Sequence, residues 1–336
     1  MKLGVLLFPR PGASAQMARM IEALGFDSLV FADTQNVTPE VWGQLMLAAR
    51  DTERIELGTG VTNPGTRDVA VTASAALALQ VESAGRAFCG IGRGDSSLAK
   101  IGRPPVPVEE FERYLERLQR YLHGEEVDRD GTKSRLEWHA DAGVPKVPVE
   151  VGATGKRVIE VAARHADRIV FAMGADTDRL ARGIAIARRA AAASGRDPDA
   201  LRFGAWINAV LHPDVAVARA AVRGGLAVFA HFSGFAGMKT DAMDPALRDA
   251  ALALRSGYDV RDHGRADTAH ARELDDAFVD RFGIVGPVER AMPRFRELAR
   301  LGLHFCRIVP GSADASPDVV TASLLTLANE VRPAVV

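Results

Sequence analysis

The chain has 336 residues, of which 47% are hydrophobic and 25% charged, and its formal net charge is -1. That balance leaves no global attraction to nucleic acid or to an anionic bilayer, so neither is expected as a partner. No run of roughly 18 apolar residues is present to span a membrane, and the length suits one α/β barrel of about 250 residues or more as well as two smaller domains.

Lys2, the run LGVLLF and Ala13-Ser14-Ala15 imitate a secretory leader, but the apolar core has only six residues and Pro9-Arg10-Pro11 follows at once. Leader cores run about 7–15 residues, so Leu3 to Phe8 reads as a first buried strand and a cytoplasmic protein is expected. Met17, Met20, Ile21 and Leu24 then recur at helical spacing up to Gly25. A second strand, Ser28 to Ala32, empties into Asp33-Thr34-Gln35-Asn36, and Thr38-Pro39-Glu40 opens a helix as cap, first-turn proline and early carboxylate. The third strand, Ile55 to Gly60, belongs to the stretch ELGTGVTNPGTRDVAVTA, in which a strand breaks into a polar loop and resumes as a helix from Val69 to Ser83. The fourth strand, Ala87 to Ile91, precedes Gly92-Arg93-Gly94-Asp95 and a helix with Phe111, Leu115, Leu118 and Leu122 on one face.

Residues 125–146 are polar, with a short hairpin expected around Asp130-Gly131. The fifth strand, Val147 to Val151, ends in Gly152-Ala153-Thr154-Gly155-Lys156 and a helix to His165. Arg168 to Ala172 and Phe203 to Leu211 read as the sixth and seventh strands, each with a helix behind it. The rhythm fails over 231–281, read as an insertion with short helical stretches such as Pro245 to Arg255, and resumes with a helix from Pro287, a strand Phe305 to Val309 and a last helix from Pro317.

Eight continuous apolar strands, each followed by a helix, predict a parallel sheet covered on its outer face: a single (β/α)₈ TIM-barrel domain with an insertion between the seventh and eighth strands. A doubly wound open sheet is the alternative. Barrel function sits in the loops after the strands. Here these carry Asp33, Asn63, Arg93, Asp95, the 152–156 run, Gly174 and Pro310-Gly311. Helices on a barrel's outside often pair, so a homodimer is expected.

Gly58-Thr-Gly60 and Gly90-Ile-Gly92-Arg-Gly94 each resemble part of a dinucleotide fingerprint, but the spacing is incomplete in both. The run GATGK reads as an anion site, with backbone N–H groups at a helix start bared by glycines, or else as a tight turn capped by Thr154. Asp95 either pairs with Arg93 or contacts a ligand, and Asp33 either faces the barrel mouth or shapes a turn. Cys89 and Cys306 lie in apolar runs and read as buried thiols. His263 and His270 lie seven apart without a metal-binding pattern, and no GxSxG elbow occurs. A chain with neither strong nucleophile nor metal cage points to an organic cofactor for the hard chemistry.

GTGVTNPGTRDVAVTA, GIGRGDSS, VGATGKR and IVGPVERAMPRFRELARLGLHFCRIVPG together resemble the bacterial-luciferase-like flavin and deazaflavin oxidoreductases, nearest the methylenetetrahydromethanopterin reductase branch. The resemblance implies a (β/α)₈ barrel with the cofactor ring across its C-terminal mouth and its phosphate on Gly152, Ala153, Thr154 and Gly155. It also implies a bulge in the third strand with a non-proline cis peptide at Gly60–Val61, propping the ring. Asn63, Asp95 and Gly174 would complete the cofactor contacts, and Asp33 and Gln35 would serve the chemistry. Several relatives carry Asp-His after the second strand where this chain has Asp33-Thr34, so the proton must come from another group or from water. The expected cofactor is coenzyme F420, serving hydride transfer to or from a small organic substrate, with His231, Phe232 and Phe235 of the insertion as a cover. The alternatives are an FMN-dependent monooxygenase fed by a partner reductase, and a non-catalytic flavin-binding barrel.

Overall fold

The computed structural model describes residues 1–233 and 245–335. In chain order it runs β1 (Lys2–Leu7), α1 (Ser14–Ala23), β2 (Ser28–Phe31), α2 (Val41–Arg50), β3 (Glu56–Thr59), α3 (Val69–Glu82), β4 (Ala87–Ile91), α4 (Asp95–Ala99) and α5 (Val108–Leu122). A hairpin of β5 (Val127–Arg129) and β6 (Thr132–Ser134) follows, then β7 (Val149–Ala153), α6 (Lys156–His165), β8 (Arg168–Phe171), α7 (Thr177–Ala193), β9 (Arg202–Leu211) and α8 (Val215–Ser233). Beyond residue 244 come α9 (Pro245–Gly257), α10 (Ala269–Arg272), α11 (Asp276–Phe282), β10 (Ile284–Gly286), α12 (Val288–Arg300), β11 (Phe305–Val309), α13 (Pro317–Thr326) and α14 (Arg332–Val335). The fold is the predicted (β/α)₈ barrel, a closed ring of eight parallel strands. Its strands are largely apolar because both their faces are covered, with Glu150, Asn208 and Arg307 as buried polar exceptions, and β2 and β4 are buried at every residue.

The chain divides into two compact units. One comprises Leu6–Ile169 with Ile186–Arg202. In it Ser28 lies opposite Glu56, Leu57 opposite Ala87 and Cys89 opposite Val149, which sets β2, β3, β4 and β7 side by side. Gly58 is required at its place, since a Cβ there would lie 2.5 Å from the Phe88 ring. Arg168 covers that ring at 5.3 Å and donates to Glu56 at 2.7 Å. The start of β3 is held from α1: the Glu22 carboxylate accepts the backbone N–H groups of Glu53, Arg54 and Ile55 at 3.0, 2.7 and 2.9 Å. The hairpin is as expected, with Asp130 and Gly131 at φ 55° and 97°, both positive as a two-residue turn requires. The fifth strand begins two residues later than read from sequence, at Val149, behind Pro148, which has no N–H to give a ladder.

The other unit comprises Met1–Val5, Val170–Ala185 and Phe203–Val336. Lys2 pairs with Phe305, Gly204 with Phe305, and Ala209 with Ile284, so β10 is a short addition beside β9 that sequence reading missed. Leu226, Ala230, Leu254, Phe278 and Phe282 form part of its core. Arg219 ties α8 to α11 through Asp276 and Asp280 at 2.8 and 2.5 Å. The stretch read as an insertion holds α9, α10 and α11. There Tyr258 stacks on His231 at 4.0 Å and bonds His263 Nδ1 at 2.6 Å, and burial holds His231 down at about 4. Phe235 lies outside the described residues, as does the Phe232 side chain.

Candidate active site

The site begins where β3 leaves its ladder. After Thr59 the peptide Gly60–Val61 is cis, and Thr62 then rejoins the sheet as a bridge to Ile91. Thr62 N donates to Gly90 O at 2.9 Å and Gly92 N returns a bond to Thr62 O at 2.9 Å. Three residues, Thr59, Gly60 and Val61, thus lie opposite two, Cys89 and Gly90, the arrangement of a bulge. Glycines on the neighbouring strands make the room. A Cβ at Gly90 would fall 2.0 Å from Thr59 O, one at Gly92 3.0 Å from Val61 Cγ2, and one at Gly152 3.6 Å from Val61 Cγ1. The Val61 side chain therefore packs against glycines of the two neighbouring strands.

Beyond the bulge a chain of polar groups crosses three loops. Buried Asn63 donates from Nδ2 to Ser97 Oγ at 3.1 Å and, at 3.4 Å, to Gln35 Oε1; its Oδ1 accepts from Thr66 at 3.3 Å. Gln35 Nε2 donates to Asp33 Oδ1 at 3.0 Å. The other Asp33 oxygen is taken by Arg67 Nη1 at 2.7 Å, while the same guanidinium reaches Thr62 Oγ1 at 3.2 Å and Glu40 Oε1 at 2.8 Å. Sequence reading singled out Asp33, Gln35 and Asn63 but not Arg67, which ties Asp33 to Thr62 and Glu40. The only local signal for it was its place in the TNPGTRD loop. Both oxygens of Asp33 are engaged and its side chain is 3% exposed, so the carboxylate is held in place by its partners.

Asp95 has the contrary setting. It opens α4 behind Gly94, whose φ of 85° suits glycine and where a Cβ would lie 2.9 Å from Asn63 Cβ, so its loop abuts Asn63. Arg93 does not pair with it; Arg93 Nε donates to Val106 O at 2.6 Å. Among the described residues Asp95 has neither a hydrogen bond nor an ion pair, and burial pushes its carboxyl above the ordinary range against the pull of the Arg93 charge.

At the end of β7, Gly152 and Ala153 belong to the strand and Thr154 follows it. The capping residue of α6 is Gly155, not Thr154 as one sequence alternative had it, and no side chain caps the helix. A Cβ built on Gly155 meets nothing within 4 Å, so there is open space beside a helix start that has no side-chain cap. Gly174 lies in the other unit at φ 70°, where a Cβ would fall 2.7 Å from Phe282 O, and Ala175 N donates to that oxygen at 2.8 Å. No group of three or more metal-ligating side chains occurs among the described residues. Cys89 and Cys306 are buried, and desolvation pushes both thiols up to about 12, which removes them as nucleophiles.

A bulged backbone shelf, a fixed polar chain, one unpartnered carboxyl and an uncapped helix start, all at strand ends, suit a barrel that takes an organic ligand at its mouth. Residues 1–304 match the luciferase-like monooxygenases, and the chain belongs to that family of flavin- and deazaflavin-dependent oxidoreductases. It is 29% identical over 306 residues to the 5,10-methylenetetrahydromethanopterin reductase of Methanolobus tindarius, covering 89% of each chain. The coenzyme F420-dependent tetrahydromethanopterin reductase of Methanopyrus kandleri shares the fold, with a TM-score of 0.75, 23% identity and coverage of 100% and 99%. So does the oxygenating constituent of 3,6-diketocamphane monooxygenase from Pseudomonas putida, solved with FMN, with a TM-score of 0.70, 17% identity and the same coverage.

Proposed function

We propose that this enzyme is an F420-dependent oxidoreductase that moves a hydride between the deazaflavin and a small organic substrate. The observation that carries the reading is the likeness, along 89% of both chains, to a reductase whose structurally solved namesake uses coenzyme F420. The residues fit such a group. Gly90 and Gly92 admit the bulged Thr59–Val61 segment, whose backbone suits a flat ring, and the uncapped start of α6 suits a phosphate.

Gly60, Val61 and Asn63 would support the ring, and Gly152, Ala153, Thr154 and Gly155 the phosphate, with Gly174 bounding the loop after β8. When bound, the deazaflavin supplies a carbon centre that gives or accepts a hydride. Arg67 and Gln35 hold the Asp33 carboxylate by both oxygens, and it would orient polar groups at the mouth. Asp95, half-buried and unpartnered, is proposed as the group that carries the accompanying proton, the task left open by Thr34. The shelf excludes water from one ring face, and positioning supplies most of the acceleration.

Titration with oxidised and reduced F420 tests the reading. Micromolar affinity for F420, with weaker binding of FMN, is the expected result; affinity for neither overturns it. The monooxygenase reading keeps support from the family's own description and from the FMN-bound relative of the same fold. Oxygen uptake with reduced FMN would establish that second reading in place of the first.

A further inference from the structure

A groove of about 450 Å³ runs between α6 and α7, wholly within one compact unit. Lys156, Glu160 and Arg164 line it from α6, and Ile186, Arg189 and Ala190 from α7. The three α6 residues recur every four positions, so they form one stripe about 12 Å long at 1.5 Å per residue. Lys156 stands at its upper end, directly after the uncapped Gly155. Charge along the groove is predominantly positive. Lys156 is 3.8 Å from Glu160, too far for a hydrogen bond, and Arg164 shares Glu112 with His165. Arg189 has no ion pair or hydrogen bond among the described residues. The floor of Ile186 and Ala190 is apolar and gives a flexible chain a surface to lie on.

This layout asks for a particular ligand shape: an anion at the start of α6, then a flexible chain with further carboxylates. FMN ends at its phosphate and has nothing to place there. F420 continues beyond its phosphate into a string of glutamates. We infer that the α6–α7 groove holds the oligoglutamate tail of the cofactor, with Lys156 and Arg189 as its principal cations. This rests on the F420 reading given above and adds a site outside the barrel mouth.

The test measures dissociation constants by deazaflavin fluorescence for two probes, glutamate-free F420 and its long-tailed oligoglutamyl form. The long-tailed form is expected to bind more tightly, by roughly three- to tenfold at low salt, since exposed charges contribute modestly and are screened. Arg189→Glu is expected to abolish that advantage while leaving the affinity for the glutamate-free form unchanged. Equal affinity of the two forms for the native protein would overturn the tail site and leave the F420 reading standing. A tail advantage undiminished in Arg189→Glu and in Lys156→Ala would overturn the groove as its place. If neither form binds, the F420 reading falls and the tail site with it. Arg189 is exposed, so loss of folding does not confound the variant.

Discussion

Asp33 and Asp95 follow strands of the same unit, and their surroundings set them opposite tasks. Removing the partner of a buried charge costs more than the pair contributes, because the remaining ion is left desolvated. Arg67→Met is therefore expected to destabilise the protein by about 3 kcal/mol, the low end for a buried pair, read from the urea midpoint. Asp33→Asn is expected to cost less, because the Arg67 guanidinium left behind is more exposed and keeps Glu40 as a partner. For Asp95 the signs reverse. A carboxyl whose folded-state pKa is raised contributes stability below its unfolded pKa and loses that contribution as pH rises through the folded value. Asp95→Asn should thus raise the unfolding midpoint at neutral pH, flatten its dependence between mildly acidic and neutral pH, and slow turnover. Improved stability with unchanged turnover would remove Asp95 from the chemistry. Asp33, Gln35, Asn63 and Asp95 were legible in the sequence because each polar residue follows an apolar strand. Arg67 was not, because its partner lies 34 positions away and only the folded loops bring the two together.

At the scale of elements, β4 and β11 match their sequence-derived limits at both ends, being apolar runs with glycine or proline just outside. The β3 bulge was legible only through resemblance, since nothing in the local pattern of ELGTGV distinguishes a bulged strand from a straight one. The β10 addition is three residues long, too short for any periodicity to register. Two substitutions probe the elements around the bulge. Gly90→Ala places a Cβ 2.0 Å from the Thr59 carbonyl, a backbone atom that cannot swing aside. It is expected to lower stability by about 1–3 kcal/mol, read by thermal unfolding, and to weaken cofactor binding. Gly155→Asp supplies α6 with the cap it lacks, in open space and at a φ of -92° that any residue adopts. The variant should gain up to about 1 kcal/mol of stability and lose at least tenfold in affinity for a phosphate-bearing cofactor, because the carboxylate occupies the anion's place. Unaltered affinity would remove the phosphate from this helix start.

On the scale of the whole molecule, the barrel was readable because its strands are buried on both sides and so appear as unbroken apolar runs. The division into two compact units was not, because it joins segments far apart in the chain. The two thiols fall one in each unit and are fully buried, which makes them internal reporters. Native protein is expected to resist iodoacetamide at both, with modification, followed by mass spectrometry, appearing only in denaturant; prompt labelling of either would contradict its burial. Glu22 has a further consequence. Burial disfavours its charge, but three backbone N–H groups outweigh this and hold the carboxyl below its ordinary range. Its contribution is present above the unfolded pKa and is lost as pH falls through the folded value. The strand that ends in the proposed cofactor shelf is moored at its opposite end by a titratable group. The enzyme thus carries an acid-labile anchorage on the far side of the barrel from its chemistry, where Glu22→Gln can loosen the shelf without touching a single residue of the mouth.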